Sequence, residues 1–230
     1  DIAKMGIGGL LKEMPNRPEP REPKERKKDK KKKNIALILL AAGNSKRMGK
    51  KNKLLEIVNG KSMVKHCVEN ISRLPIKQKV IVLGHEARKI QSKLDLSTFN
   101  IINNLDYKNG ISTSIKIGIL SLDKTMDGVF IVLADMPMIK INTYLELINN
   151  FQKDNSKVIF IPTWQGKKGN PVLLDKSIFP ELIKLEGDEG AQQIFSNFED
   201  NIQEIEVNDS GTCFDIDTLE DLKEVKKNGT

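Results

Sequence analysis

From residue 34 onward the chain alternates between two periodicities. Short apolar runs rich in Val, Ile and Leu occur at 35–41, 79–83, 100–103, 128–133 and 158–162, and each reads as a strand. Between them the apolar positions recur at helical spacing over 62–74, 86–94, 112–122 and 142–153, and Pro75 closes the first of these. Strands that are apolar on both faces need cover on both. The pattern therefore predicts a mostly parallel central sheet with helices on each side, a Rossmann-like three-layer α/β/α arrangement. Further along it predicts a strand at 171–174, helices near 179–185 and 191–198, a strand at 202–207, a short strand at 213–216 and a last helix from Thr218. Ligands of such sheets sit beyond the carboxyl ends of the strands, which directs attention to residues 42–53.

Residues 1–33 lie outside this alternation. Stretch 15–33, PNRPEPREPKERKKDKKKK, combines spaced prolines with repelling charges and almost no apolar side chains. It reads as a basic linker or the end of an upstream domain, largely disordered, with the folded unit at 34–230. Residues 1–33 also explain the net charge of +7: they hold 12 of the 38 Lys/Arg against 6 of the 31 Asp/Glu, leaving 26 against 25 for the rest. The folded part is close to neutral, so nucleic acid is not its expected partner. No apolar stretch reaches the roughly 20 residues of a membrane helix. Cys67 and Cys213 match neither a disulfide framework nor a zinc spacing, and a reducing, cytoplasmic setting is expected.

The stretch LLAAGNSKRMGKKNKLL (39–55) follows the first apolar run with glycines and a dense set of cations. Gly43 and Gly49 allow close backbone approach to an anion, and Arg47 and Lys53 suit phosphate oxygens; a long solvated turn is the alternative. Two other phosphate loops fail. The glycine spacing is wrong for a dinucleotide fingerprint, and NGKS at 59–62 lacks the first glycine of a P-loop, since position 55 is Leu55. In VFIVLADMP, Asp135 stands just past an apolar strand, where it either caps a following helix or holds a divalent cation. In CFDIDTLEDL, alternation puts Asp215 and Asp217 on one face of a short strand, and Asp217 with Glu220 also makes a capping box. Ser112, Thr113 and Ser114 open a helix, a usual place for capping hydroxyls. His66 among apolar neighbours and His85 in a strand-end turn read as structural, and the two cysteines as small buried residues.

LAAGNSKRMG followed by KLL resembles the signature of the nucleotidyltransferases that activate small phosphorylated molecules with an NTP. The LAAG form, rather than LAGG, is similar to the CTP-using molybdenum cofactor cytidylyltransferases. The likeness continues in order through VLGHEA, NNLDYKNGISTSIKIGI, VLADMP, GKKGNPVLL, GDEGA and DIDTLEDL, across 34–230. The resemblance implies a nucleotidyltransferase (GT-A-like) fold and Mg²⁺-dependent transfer of CMP from CTP to molybdopterin or its molybdenum-loaded form. It also implies roles for individual residues. Leu40, Ala41, Ala42, Gly43, Ser45, Arg47, Lys53, Gly84, Asn103, Gly110, Ser114 and Asp135 would bind the nucleotide, with Arg47, Lys53 and Asp135 catalytic. Asp135, Asp215 and Asp217 would hold the metal, and Gly169, Asn170, Pro171, Gly187, Asp188 and Gly190 would meet the acceptor. Two departures stand out: Leu219 replaces a proline, and Gln192 replaces an arginine whose acceptor contact Lys167 or Lys168 would have to supply. A receiving molybdoenzyme is an implied partner. A GTP-using or sugar-phosphate enzyme, or a non-catalytic protein that escorts the cofactor, are the rival readings.

Overall fold

The computed structural model describes residues 31–43, 52–216 and 220–221. Residues 1–30 and the segment 44–51 thus lie outside the described residues. The main sheet runs in the order β10-β7-β9-β6-β1-β4-β5, with β1 (Ile35–Ala41), β4 (Gln78–Leu83), β5 (Asn100–Asn103), β6 (Gly128–Leu133), β7 (Ile159–Trp164), β9 (Val172–Asp175) and β10 (Ile202–Glu206). A hairpin of β2 (Ile57–Val58) and β3 (Lys61–Ser62) stands apart, and β8 (Lys167–Lys168) pairs with β7. Strand β1 pairs in parallel with both β4 and β6, β4 with β5, and β7 with β10. Among the described strands of this sheet, β9, inserted between β6 and β7, and the short β8 run antiparallel to their neighbours. The sheet is mixed but mostly parallel, as the doubly apolar runs predict.

Alternation along β1 builds two cores. Ile35, Leu37, Leu39 and Ala41 face α1 (Met63–Ser72), α2 (Ala87–Gln91) and α4 (Ile141–Lys153). Ala36, Ile38, Leu40 and Ala42 face α3 (Ile111–Leu120) and α5 (Phe179–Ile183). Three layers follow from the period of two. Lys33, assigned by composition to the tail, is docked: its ammonium donates to Phe151 O (2.7 Å) and Asp154 O (2.6 Å) and stands over the Phe151 ring. A cation is favourable at that end of α4 because the last carbonyls lack helical partners.

Two predicted elements differ. Residues 191–201 form a 3₁₀ run, Ala191–Asn201, with a non-helical residue at Phe198, rather than an α-helix over 191–198. Residues 213–216 are not a strand. A 3₁₀ turn, Ser210–Cys213, leads into chain that joins no ladder. The reason is local: buried Asp209 accepts from Gly211 N (3.0 Å), and its other oxygen accepts from Lys140 N (2.8 Å) and Thr143 Oγ1 (2.6 Å) at the start of α4. Tied there, the segment sends its backbone bonds to loops: Thr212 O accepts from Asn170 N (2.8 Å) and Ile216 N donates to Asp135 O (3.1 Å). Of the last helix, Glu220 and Asp221 are helical, and 217–219 and 222–230 lie outside the described residues.

Phe130 on β6 has no exposed surface and packs edge-on against Tyr144 of α4. Phe130→Ala is expected to lower the unfolding free energy by about 3–5 kcal/mol. Leu120→Ala, at a side chain 63% exposed, should change it by less than about 0.5 kcal/mol. Urea denaturation of both variants checks the pair, and equal losses would contradict the two-core packing.

Candidate active site

The carboxyl ends of β1 and β6 open onto a cavity of about 200 Å³, and the end of β4 lies level with them behind its lining. Parallel register brings them level: Leu40 stands opposite Leu133, and Ala41 opposite Leu83. The chain then leaves all three strands at one edge, where Ala134 N donates to Leu40 O (3.1 Å) and His85 N to Ala42 O (3.1 Å). Leu40, Ala42 and Gly43 line the cavity from β1 and its end, Asp135 from the turn after β6, and Lys53 from a 3₁₀ turn, Lys53–Leu55. Asn52, buried before that turn, caps it by accepting from Leu54 N (3.1 Å).

Lys53 and Asp135 meet. The ammonium lies 2.7 Å from Asp135 Oδ2, with the side chains 14% and 21% exposed. Both residues are expected at the site from the sequence, and the fold puts them in direct contact. Among the described residues, buried Asp135 Oδ1 has no hydrogen-bond partner. Behind Asp135, the buried Cys67 thiol donates to Ala134 O (3.5 Å), and burial, reinforced by the Asp135 charge, pushes its pKa far up. Cys67 is therefore a neutral packing group, as expected of it.

The far wall comes from α3. Gly110 has φ +106°, and a Cβ on it would overlap the backbone of Gly187. Only glycine allows this approach. Across it, Ser112 N and Ser112 Oγ both donate to Gly187 O (3.2 and 2.7 Å), so the GDEG loop is tied to the start of α3 and carries Asp188 to the cavity. Ser114 is buried and accepts from Asn104 Nδ2 (2.9 Å). The same amide reaches Thr113 Oγ1 (2.8 Å), and Asn104 Oδ1 accepts from Asp106 N (2.9 Å). Asn104 thus holds together the loop that carries Tyr107 and Lys108, which also line the cavity.

Of the sequence-predicted residues, the cavity gathers Leu40, Ala42, Gly43, Lys53, Gly110, Ser114, Asp135 and Asp188. Ala41 points into the opposite core. Gly84 lies behind the lining, where a Cβ would press on Ala42 and on Tyr107. Asn103 is exposed at the end of β5, and its neighbour Asn104 is the inward residue. Gly169, Asn170 and Pro171 belong to a segment that packs around Thr212 rather than lining the cavity, and Gly187 and Gly190 do not line it either. Lys168 pairs with Glu204 (2.8 Å), and neither Lys167 nor Lys168 lines the cavity. Asp215 is exposed, next to the Ile216 amide that reaches Asp135 O. Ser45, Arg47 and Asp217 lie outside the described residues. His66 shares a hydrogen bond with Val58 O (2.6 Å), and His85 stacks loosely on Tyr107; neither lines the cavity. Sequence reasoning missed Asn52, Asn104, Tyr107 and Lys108. For Asn104 the signal was present as Asn-x-Asp, the pattern of a side chain capping the backbone two residues on.

The profile of the MobA-like NTP transferase domain matches residues 37–203. The chain belongs to this family. Among curated relatives, it is 25% identical over 190 residues to nicotine blue oxidoreductase of Paenarthrobacter nicotinovorans, covering 80% of this chain and 93% of that one. It is 24% identical over 200 residues to molybdenum cofactor cytidylyltransferase of Escherichia coli K12, covering 85% and 97%. Among solved structures, Rv0371c of Mycobacterium tuberculosis H37Rv superposes with a TM-score of 0.75 at 19% identity over 85% of this chain and 99% of that one. Rv0371c has also been solved in complex with manganese. The structural likeness shows that the fold is shared.

Asn104→Ala removes the side chain that joins Ser114 Oγ, Thr113 Oγ1 and Asp106 N, and leaves the buried Ser114 hydroxyl without that donor. It is expected to cost about 1–3 kcal/mol and to weaken nucleotide binding, whereas Asn103→Ala should be within about 0.5 kcal/mol of the parent. Thermal melts and calorimetric titration of the two variants with each of the four NTPs check this, and a larger effect at Asn103 would refute the assignment.

Proposed function

We infer that the chain transfers CMP from CTP to molybdopterin, giving the cytosine dinucleotide form of the cofactor and pyrophosphate. The observation that carries this reading is the convergence of the β1 end, the α3 start, Lys53 and Asp135 on one cavity. A relative named as an oxidoreductase covers the chain about as fully as the cytidylyltransferase does, so likeness alone does not choose the reaction. The lining supports a nucleotide with a small base. The Ala42 methyl stands where the strand end meets the cavity, and Ser114, having accepted from Asn104, keeps its own proton for a base acceptor such as cytosine O2.

The residues present fit a divalent cation. Buried Asp135 Oδ1 has no partner, and among the described residues no group of three or more His, Cys, Asp or Glu could hold a metal on protein ligands alone. Mg²⁺ commonly takes one or two carboxylates and completes its shell with substrate phosphates and water. Asp135 would hold it, and Asp215, which precedes the residue whose amide donates to Asp135 O, would be the second carboxylate. The ion would supply neutralisation of triphosphate charge.

The reaction needs no protein nucleophile. A phosphate oxygen of the acceptor forms a bond to the α-phosphorus of CTP, and the bond to the β-phosphate oxygen breaks. Among the described residues nothing stands within 4 Å of where a Cβ on Gly43 would be, so phosphate could approach the main chain there. Lys53 holds the charge that develops on phosphate oxygens, and Gly110 with the Gly187 loop fixes the wall against which the nucleoside rests.

Incubation with CTP, Mg²⁺ and molybdopterin should yield the dinucleotide by mass detection. Pyrophosphate release across four NTPs should favour CTP; equal release with GTP would overturn the cytidylyl reading. Asp135→Ala should abolish turnover. Lys53→Met should lower kcat by about 100-fold or more, within the range for loss of a transition-state contact, while changing CTP affinity much less. A near-normal rate in either variant would end the assignment.

A further inference from the structure

The pairing of Lys53 with Asp135 leaves neither carboxylate oxygen open. Oδ2 is taken by the ammonium at 2.7 Å. Oδ1 is sealed from solvent and has no hydrogen-bond partner among the described residues. A cation from solution can reach this carboxylate only if Lys53 moves off it. We propose that Lys53 guards Asp135 against divalent cations in the nucleotide-free protein, and that the triphosphate releases the guard, so that nucleotide and cation bind as a coupled pair. The proposal rests on the reading of Asp135 as the metal carboxylate.

Three physical points support the exchange. Lys53 lines the same cavity as Asp135, so a triphosphate bound there offers the ammonium another anion without a return to bulk water. Moving an ammonium from one anion to another keeps it paired, whereas pulling it off with nothing in exchange would strand a partly buried carboxylate. That carboxylate is backed by the neutral, buried Cys67 and by apolar chain, and its Oδ1 has no hydrogen bond to compensate the loss. Once Lys53 moves to phosphate, the uncovered carboxylate needs a cation, and its demand is the source of the coupling. By linkage, whatever factor the nucleotide adds to metal affinity the metal adds to nucleotide affinity.

The test needs no acceptor and no turnover. Mn²⁺ binding to the full chain is followed by electron paramagnetic resonance in the absence of nucleotide. The parent should bind Mn²⁺ weakly; Lys53→Met and Lys53→Gln should each bind at least about tenfold tighter, within the usual span of coupling between sites. Adding Asp135→Asn to Lys53→Met should return binding to the parent level. As a check on folding, the melting temperature of Lys53→Met should rise with Mn²⁺ by more than that of the parent. Tight nucleotide-free Mn²⁺ binding by the parent, folded Lys53 variants that bind no better than the parent, or binding that survives Asp135→Asn would each overturn the proposal. Absence of dinucleotide formation would sink the cytidylyl reading alone, because Mn²⁺ affinity is measured without substrate.

Discussion

Everything at the site depends on β1 being held in parallel between β4 and β6. The register that sets Leu40 opposite both Val82 and Leu133 makes three chains leave the sheet at one edge. His85 and Ala134 then hydrogen-bond to the end of β1, although all three segments are far apart in sequence. An antiparallel neighbour at either position would carry its following loop to the opposite edge. The sheet does contain an antiparallel member, β9, but it lies beyond β6, where its reversed direction does not disturb the three ends that matter.

A second constraint fixes the opposite wall. Gly110 and Gly187 approach so closely that a side chain on Gly110 has no room, and the result is a helix start bound to another loop's carbonyl. Helix start, turn and cavity are therefore one unit: a change in the GDEG loop is felt at the first turn of α3, and through Asn104 at the loop bearing Tyr107 and Lys108. Rigid backing of this kind holds the polar groups that face the cavity, Ser114 and Lys53 among them, in fixed positions.

The sheet was legible because its strands are apolar on both faces, and such strands are stable only where helices cover the sheet on both sides. Helix existence was legible from periodicity too, as with 142–153, where the apolar face matches the observed α4. Residues 191–201 were not, since AQQIFSNFEDN has helical spacing but sits after a glycine-rich loop and resolves into the tighter 3₁₀ turn. Residues 213–216 alternate like a strand, yet buried Asp209 anchors the preceding turn to α4 and removes any ladder partner. Asn103 and Asn104 are chemically identical neighbours, and only the end of β5 decides which turns inward. The Lys53–Asp135 contact spans 82 residues. Local pattern could propose both residues for the site but not that they would touch.

That contact also bears on which chemistry the fold performs here. A partly buried ion pair contributes little net stability compared with apolar side chains of the same size, because desolvating both charges offsets most of their attraction. Retaining one in the wall of a cavity, with a carboxylate oxygen left unpartnered beside it, is costly unless the charges have other partners in the working cycle. A triphosphate would provide a partner for the ammonium, and a cation would provide one for the carboxylate. The charged wall of the cavity therefore suits a phosphate-bearing ligand, in keeping with the MobA-like NTP transferase family to which the chain belongs.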